Sequence, residues 1–325
     1  MQATLGQTDF EAAAALVHAQ MPATAQHTWP QINADVGAQV FIKHENHTPI
    51  GAFKIRGGIT FVDWLRRTHP EIRAVVTATR GNHGQSLARA ATAAGLRSVI
   101  YVPHANSVEK NAAMRAFGAE VIEEGADVDV AMLAANRAAE TEGLYRVPSF
   151  HREIIRGVAT YGYELMTAVR DLDTIYVPVG CGSGICSLIA VRDALGLKTR
   201  IVGVVSTGAD AAKRSFDSGA IVDDGTAKTF ADGMAVRVVV PEAFAIYAKG
   251  ADRIVAVSDD EVADAIRLLF RATHNVAEGA GAAALAAARQ ERSQIAGQRT
   301  AVILCGGNID TATFIEVMSG RTPRP

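Results

Sequence analysis

The sequence predicts an α/β protein built on two doubly wound, open parallel sheets, and three features predict it. Short apolar runs alternate with longer helical stretches in both halves of the chain. Several helical stretches close on glycine, as at Gly95 and Gly118. Two glycine-rich loops each follow an apolar run and open a helix. Alternation of this kind is satisfied by parallel strands joined through right-handed crossovers, with helices covering the faces. The 325 residues are 49% hydrophobic and 20% charged, ample core material for one large domain or two of ordinary size.

Taken in order, residues 10–20 are alanine-rich and read as a helix. Met21-Pro22 and Trp29-Pro30 then break the chain into an extended arm, because proline removes a backbone donor. Residues 40–43 form a short strand, and a helix runs over about 53–67. Residues 74–77, 98–102 and 119–122 are strands, alternating with helices at 84–94, 108–117 and 127–141. This regular stretch, 67–144, is expected to be a small α/β domain inserted into a larger one made of 1–66 and 145–325. In the second half, 174–179, 200–205, 253–257 and 300–304 are strands and 259–272 is a helix. The alanine-dominated run 275–289 reads as a packing helix whose small side chains admit close neighbours. The charge-mixed segment 208–237 fits neither period.

A formal net charge of −2 offers no field for nucleic acid or a membrane surface. The apolar run 12–17 follows Asp9 and Glu11, and the first lysine or arginine is Lys43, so it reads as a leading helix and not as a secretory signal. No run reaches the length of a membrane span. Three cysteines, two of them in glycine-rich loops, support neither a disulfide framework nor a four-ligand zinc site. A cytoplasmic protein with a small-molecule partner is expected; a homodimer is compatible with the sequence and not fixed by it.

Three stretches carry chemistry. In Ile50-Gly51-Ala52-Phe53-Lys54-Ile55-Arg56-Gly57-Gly58, a lysine stands among apolar residues and glycines. A lone lysine of this kind ordinarily lays its stem on apolar surface and sends its head to water. Desolvated beside Phe53 and Ile55, it would instead be a nucleophilic amine suited to a Schiff base. Thr79-Arg80-Gly81-Asn82-His83-Gly84-Gln85 and Gly180-Cys181-Gly182-Ser183-Gly184 each follow a strand and precede a helix, the position at which open parallel sheets bind ligands. Glycines let backbone N–H groups close on a phosphate, and the helix N-terminus adds partial positive charge. Alone, either loop could equally be a tight turn.

Together with Cys305-Gly306-Gly307-Asn308, these stretches resemble the fold type II pyridoxal-phosphate enzymes, whose architecture is that of the tryptophan synthase β chain, and within them the threonine/serine dehydratase and serine racemase branch. The likeness runs in order from about Pro22 to Asp310. It implies pyridoxal 5′-phosphate bound through Lys54, with Phe53, Asn82, Cys305 and the loop Gly180, Cys181, Gly182, Ser183 and Gly184 as cofactor contacts. Ser183 adds a hydroxyl donor there and Cys181 only bulk. It implies Thr79, Gly81 and His83 as contacts of the substrate carboxylate, and it places Arg80 beside the substrate. Cys305 matches the Ser or Cys that faces the pyridine nitrogen, a neutral partner that weakens the electron sink and favours elimination over transamination.

Two departures narrow this reading. Arg80 stands where racemases of the branch carry the serine that reprotonates the second face, and arginine is a poor proton shuttle but a good anion clamp. Where some relatives bind a divalent cation through acids, this chain has Val205 and Ala211, with Asp210 alone between them, so no metal site is expected. The function expected is β-elimination from a β-hydroxy amino acid to a 2-keto acid and ammonia. Racemisation or β-replacement on the same scaffold, or a non-catalytic amino-acid sensor, are the alternatives.

Overall fold

Two parallel sheets bring the lysine loop and the glycine loops to one cleft. The computed structural model describes residues 5–223 and 225–324. Helix α1 (Gln7–His18) leads to β1 (Gln26–Thr28), which pairs antiparallel with β2 (Gln39–His44). Between them lies α2 (Pro30–Val36), where the sequence predicts an extended arm. Pro30 takes the first helical position, where a missing N–H has no partner to lose and its fixed φ suits the turn. Gly37, at φ 74°, ends the helix.

After α3 (Lys54–Thr68) the chain alternates through β3 (Ala74–Ala78), α4 (Asn82–Ala93), β4 (Arg97–Val102), α5 (Val108–Ala116), β5 (Glu120–Glu123), α6 (Val128–Glu142) and β6 (Tyr145–Arg146). Ser107 caps α5 through Lys110 N–H, and Asp127 caps α6 through the N–H groups of Asp129 and Val130. The strands form a four-stranded parallel sheet in the order β5-β4-β3-β6. Its last strand lies just past residue 144, the boundary expected from sequence. Two residues are too few to show a strand period.

The second sheet is built from β1, β2 and the rest of the chain: α7 (Arg152–Ala168), β7 (Thr174–Pro178), α8 (Ser183–Ala194), β8 (Arg200–Ser206), α9 (Ala211–Ser218), α10 (Pro241–Gly250), β9 (Arg253–Val257), α11 (Asp259–Thr273), α12 (Gly279–Gln290), β10 (Arg299–Leu304) and α13 (Thr311–Met318). Its order is β1-β2-β10-β7-β8-β9, parallel except for β1. Ile42, Ile175, Val202 and Val302 are fully or almost fully buried, as strands covered on both faces require. Because β10 inserts between β2 and β7, the lysine loop after β2 and the glycine loop after β7 leave the sheet on either side of Cys305.

The alanine-rich run becomes helical only at Gly279. His274 closes α11 in the left-handed region, and 275–278 stay in a loop that carries Glu278 inward. Helix α12 is buried from Gly279 to Ala288. Its small residues allow backbone contact: a Cβ on Gly281 would lie 2.2 Å from Gly306 O.

Candidate active site

Lys54 is the first residue of α3, and the loop ahead of it is sewn to the end of the last strand. Phe53 N–H donates to Cys305 O and Gly307 N–H to Gly51 O, each at 2.9 Å, and Ala52 bridges Gly306. Lys54 Nζ donates to Ser183 Oγ and to Cys181 Sγ, each at 3.2 Å, and lies 5.0 Å from the Phe53 ring centroid. Ile55 does not crowd it as the sequence suggests. Successive helical residues diverge by about 100°, and Ile55 packs with Val17, Met21 and Ile59 instead. The amine stands inside the second glycine loop.

That loop tolerates little else. A Cβ on Gly180 would lie 2.3 Å from Gly233 O, and Gly182 has φ 92°. Ser183 and Gly184 open α8, whose first N–H groups have no intrahelical acceptor and are free to meet an anion. Tyr161 Oη–H donates to Gly184 O at 3.2 Å and fixes the turn. Cys181 is more than bulk, contrary to the sequence expectation. Burial raises its thiol pKa, but the Lys54 ammonium and the Ser183 N–H outweigh this and hold it below the ordinary thiol value.

Across the cleft, Thr79 Oγ1 accepts from Gly81 N–H at 3.2 Å, and Asn82 opens α4. Asn82 Nδ2 donates to both oxygens of Glu278, at 2.8 and 3.1 Å, and Asn82 Oδ1 accepts from Asn308 Nδ2 at 2.7 Å. The lysine loop, the asparagine loop, the glycine loop and the Cys305–Asn308 turn therefore meet at one place. His83 Nε2 is buried with no hydrogen-bond partner among the described residues. Burial and the Lys54 ammonium lower the His83 pKa to about 3, so the ring is neutral. Burial and the charge of Glu278 push the Cys305 thiol well above its ordinary value, so it too stays neutral.

Three residues of this cluster escape a sequence reading. Glu278 is buried; desolvation and then Asp232 push its pKa up to about 7, against Lys110 and Asn82. Lys110 is buried and ion-paired with Asp232, and its stem lies against the asparagine loop, 2.8 Å from where a Cβ on Gly81 would stand. The one available signal is Glu278 itself, an acid at the head of Gly279-Ala280-Gly281-Ala282-Ala283. Arg80 is exposed, and no described residue pairs with its guanidinium; its carbonyl accepts from Asn106 Nδ2 at 3.1 Å.

A family model described as pyridoxal-phosphate dependent enzyme matches residues 20–306. The chain belongs to the pyridoxal-phosphate dependent enzymes. An L-threonine ammonia-lyase of Geobacter sulfurreducens is 34% identical over 284 residues, 87% of this chain and 70% of the relative. An L-threo-3-hydroxyaspartate ammonia-lyase of Saccharomyces cerevisiae is 29% identical over 295 residues, 90% of each. The solved structure of maize serine racemase superposes with a TM-score of 0.89 at 25% identity, covering 98% of both chains. The enzyme thus falls in the branch of threonine and serine dehydratases and serine racemases, and pyridoxal phosphate is its cofactor. The residues present fit that group: a primary amine beside an anion cradle, an aromatic flank, an unpartnered buried histidine nitrogen and a neutral thiol. Val205 and Ala211 are buried and apolar, and Asp210 is paired with Arg214. No helix among the described residues is long and apolar enough to cross a membrane.

Proposed function

We propose that the enzyme is a dehydratase and ammonia-lyase that converts a β-hydroxy amino acid of the threonine or serine type to a 2-keto acid and ammonia. The observation that carries this is the Lys54 amine, 3.2 Å from Ser183 Oγ at the N-terminus of α8, on a loop hydrogen-bonded to the strand end that bears the neutral Cys305. Lys54, Phe53, Asn82, Cys305 and residues 180–184 hold the cofactor, which supplies the electron sink that acidifies the substrate's α-hydrogen. Lys54 Nζ is the base for that hydrogen, and the Ser183 hydroxyl and Cys181 thiol orient it. Thr79, Gly81 and the neutral His83 receive the substrate carboxylate. Glu278 is a positioning residue that fixes the Asn82 amide. The α-hydrogen and β-hydroxyl leave as water, and the resulting enamine is hydrolysed to keto acid and ammonia.

Elimination is favoured over racemisation by Arg80, a permanent cation where a proton-shuttling hydroxyl would be needed. The division into 1–66 plus 145–325 and 67–144 is part of this reading, with the second boundary moved beyond Arg146 because β6 pairs with β3. The test is incubation of the cofactor-loaded enzyme with D and L forms of serine, threonine and 3-hydroxyaspartate. Keto acid and ammonia should form in equal amounts from at least one. Appearance of the opposite enantiomer without keto acid would replace this reading with the racemase; no reaction and no reducible cofactor would replace it with the sensor.

A further inference from the structure

We infer that Arg80 is the specificity residue of this site and selects β-hydroxy amino acids that carry a second carboxylate on the side chain. This deepens the dehydratase reading and rests on it for the reaction, though not for the anion site itself. The residue sits just past the carboxyl end of β3, directly after Thr79 and before Gly81-Asn82, in the loop position at which open parallel sheets bind ligands. Its backbone is held: Asn106 Nδ2, which donates to the Arg80 carbonyl at 3.1 Å, also donates to Asn111 Oδ1 at 2.7 Å. Its side chain is exposed and makes no hydrogen bond or ion pair with a described residue.

Three neighbouring cations among the described residues have partners. Lys110 is paired with Asp232, and Arg237 with Asp127 and Asp129. Asp127, the nearby acid that feels Arg80's charge, is already held by the Val130 N–H and by Arg237. Lys54 is engaged with Ser183 and Cys181. Among the described residues the Arg80 guanidinium is therefore left without an ion pair, on a loop whose other groups, Thr79, Gly81 and His83, are occupied by the α-carboxylate in the proposed complex.

A planar fork of donors matches a carboxylate in two parallel hydrogen bonds, and it has nothing comparable to offer a methyl group. A substrate with a carboxylate on the β-carbon, such as 3-hydroxyaspartate, satisfies Arg80 and the α-carboxylate loop together. Its elimination loses the α-hydrogen and the β-hydroxyl as water. Hydrolysis then returns that water and releases ammonia and oxaloacetate.

The experiment has two arms on the cofactor-loaded enzyme, its Arg80→Ala variant and its Arg80→Lys variant. The first compares kcat/KM for 3-hydroxyaspartate with that for serine and threonine. The second measures by calorimetry the binding of succinate, which has the same carbon skeleton without amine or hydroxyl, against butyrate, which lacks one carboxylate. In the wild type 3-hydroxyaspartate is the preferred substrate and succinate the tighter ligand. Arg80→Ala lowers both preferences by about 10- to 100-fold, the range of one lost charge-assisted hydrogen-bond pair, and Arg80→Lys retains part of each. Preference of the wild type for serine or threonine, or ratios unmoved in Arg80→Ala, would overturn the inference while leaving the dehydratase reading intact. Absence of keto acid from every substrate, with the succinate preference still lost in Arg80→Ala, would instead sink the dehydratase reading and keep the anion site.

Discussion

Lys54 and Arg56 stand two residues apart at the start of α3 and meet opposite surroundings. Arg56 is fully buried; its Nε and Nη2 donate to Glu45 at 2.7 and 3.0 Å, and its Nη1 and Nη2 to Glu164 at 2.6 and 2.9 Å. Lys43 adds a second cation on Glu164 at 2.6 Å and donates to Thr24 O at 2.8 Å. Each charge there meets its opposite. On the other side of the helix, and among the described residues, Lys54 has only a hydroxyl and a thiol, His83 has no partner on Nε2, and the exposed Arg80 makes no ion pair. Matched buried charges set the direction in which α3 presents its first turn. The unmatched groups gather where a ligand arrives.

Breaking each side separately should give opposite results. Lys54→Ala should lower turnover on the order of 10³-fold or more, because it removes both the cofactor anchor and the base, while urea unfolding changes by less than about 1 kcal/mol. Arg56→Met strands the carboxylates of Glu45 and Glu164 and should destabilise the fold by about 3–5 kcal/mol. Its loss of activity should follow the unfolded fraction. A stable but inactive Arg56→Met protein would show that the network also acts in the chemistry.

The two sides should also differ in the sign of their pH dependence. Burial would raise the Glu164 pKa, but Arg56 and Lys43 outweigh it and hold the group at about 2. A depressed carboxylate stabilises the fold above its unfolded value, near 4.5, and that stability, roughly 3 kcal/mol, is lost as pH falls towards 2. Glu164→Gln should lack this acid-sensitive contribution. Glu278 has the reverse sign: with its pKa raised to about 7, its penalty is absent below the unfolded value, sets in as pH rises, and is complete above 7. Stability curves of Glu278→Gln should therefore gain on the wild type between pH 5 and 7, and parallel curves would contradict the assignment.

A smaller effect sharpens the same contrast within the cysteines. Cys181 has a lowered pKa beside Lys54, whereas burial raises Cys186 and Cys305. Iodoacetamide should label Cys181 first, and prior loading with pyridoxal phosphate should slow that labelling by about tenfold.

Much of this is legible in the sequence. All the strands except β1 (Gln-His-Thr) and the two-residue β6 are short apolar runs, and the stretches around Lys54, Asn82, Gly180–Gly184 and Cys305 announce a site by residue type and order. What escaped has little local signal beyond Glu278 at the head of its Gly-Ala run. Pro30 breaks a helix interior and also starts a helix, and only the packing of Ile32 and Val36 into the core chooses between them. Strand β6 is too short for a period. Glu278, Lys110 and Asp232 are distant in sequence and become a cluster only when 82, 110, 232 and 278 are folded together. Cys181 was legible as added bulk in the loop, but its contact with Lys54 depends on the first turn of α3 facing that loop.

The most direct test of the account is the identity of the amine that holds the cofactor. The loaded enzyme is reduced with borohydride, digested, and the pyridoxyl-modified peptide sequenced by mass spectrometry. The account predicts one modified peptide with the label on Lys54, absent from Lys54→Ala. A label on Lys43, Lys110 or any other lysine would contradict it.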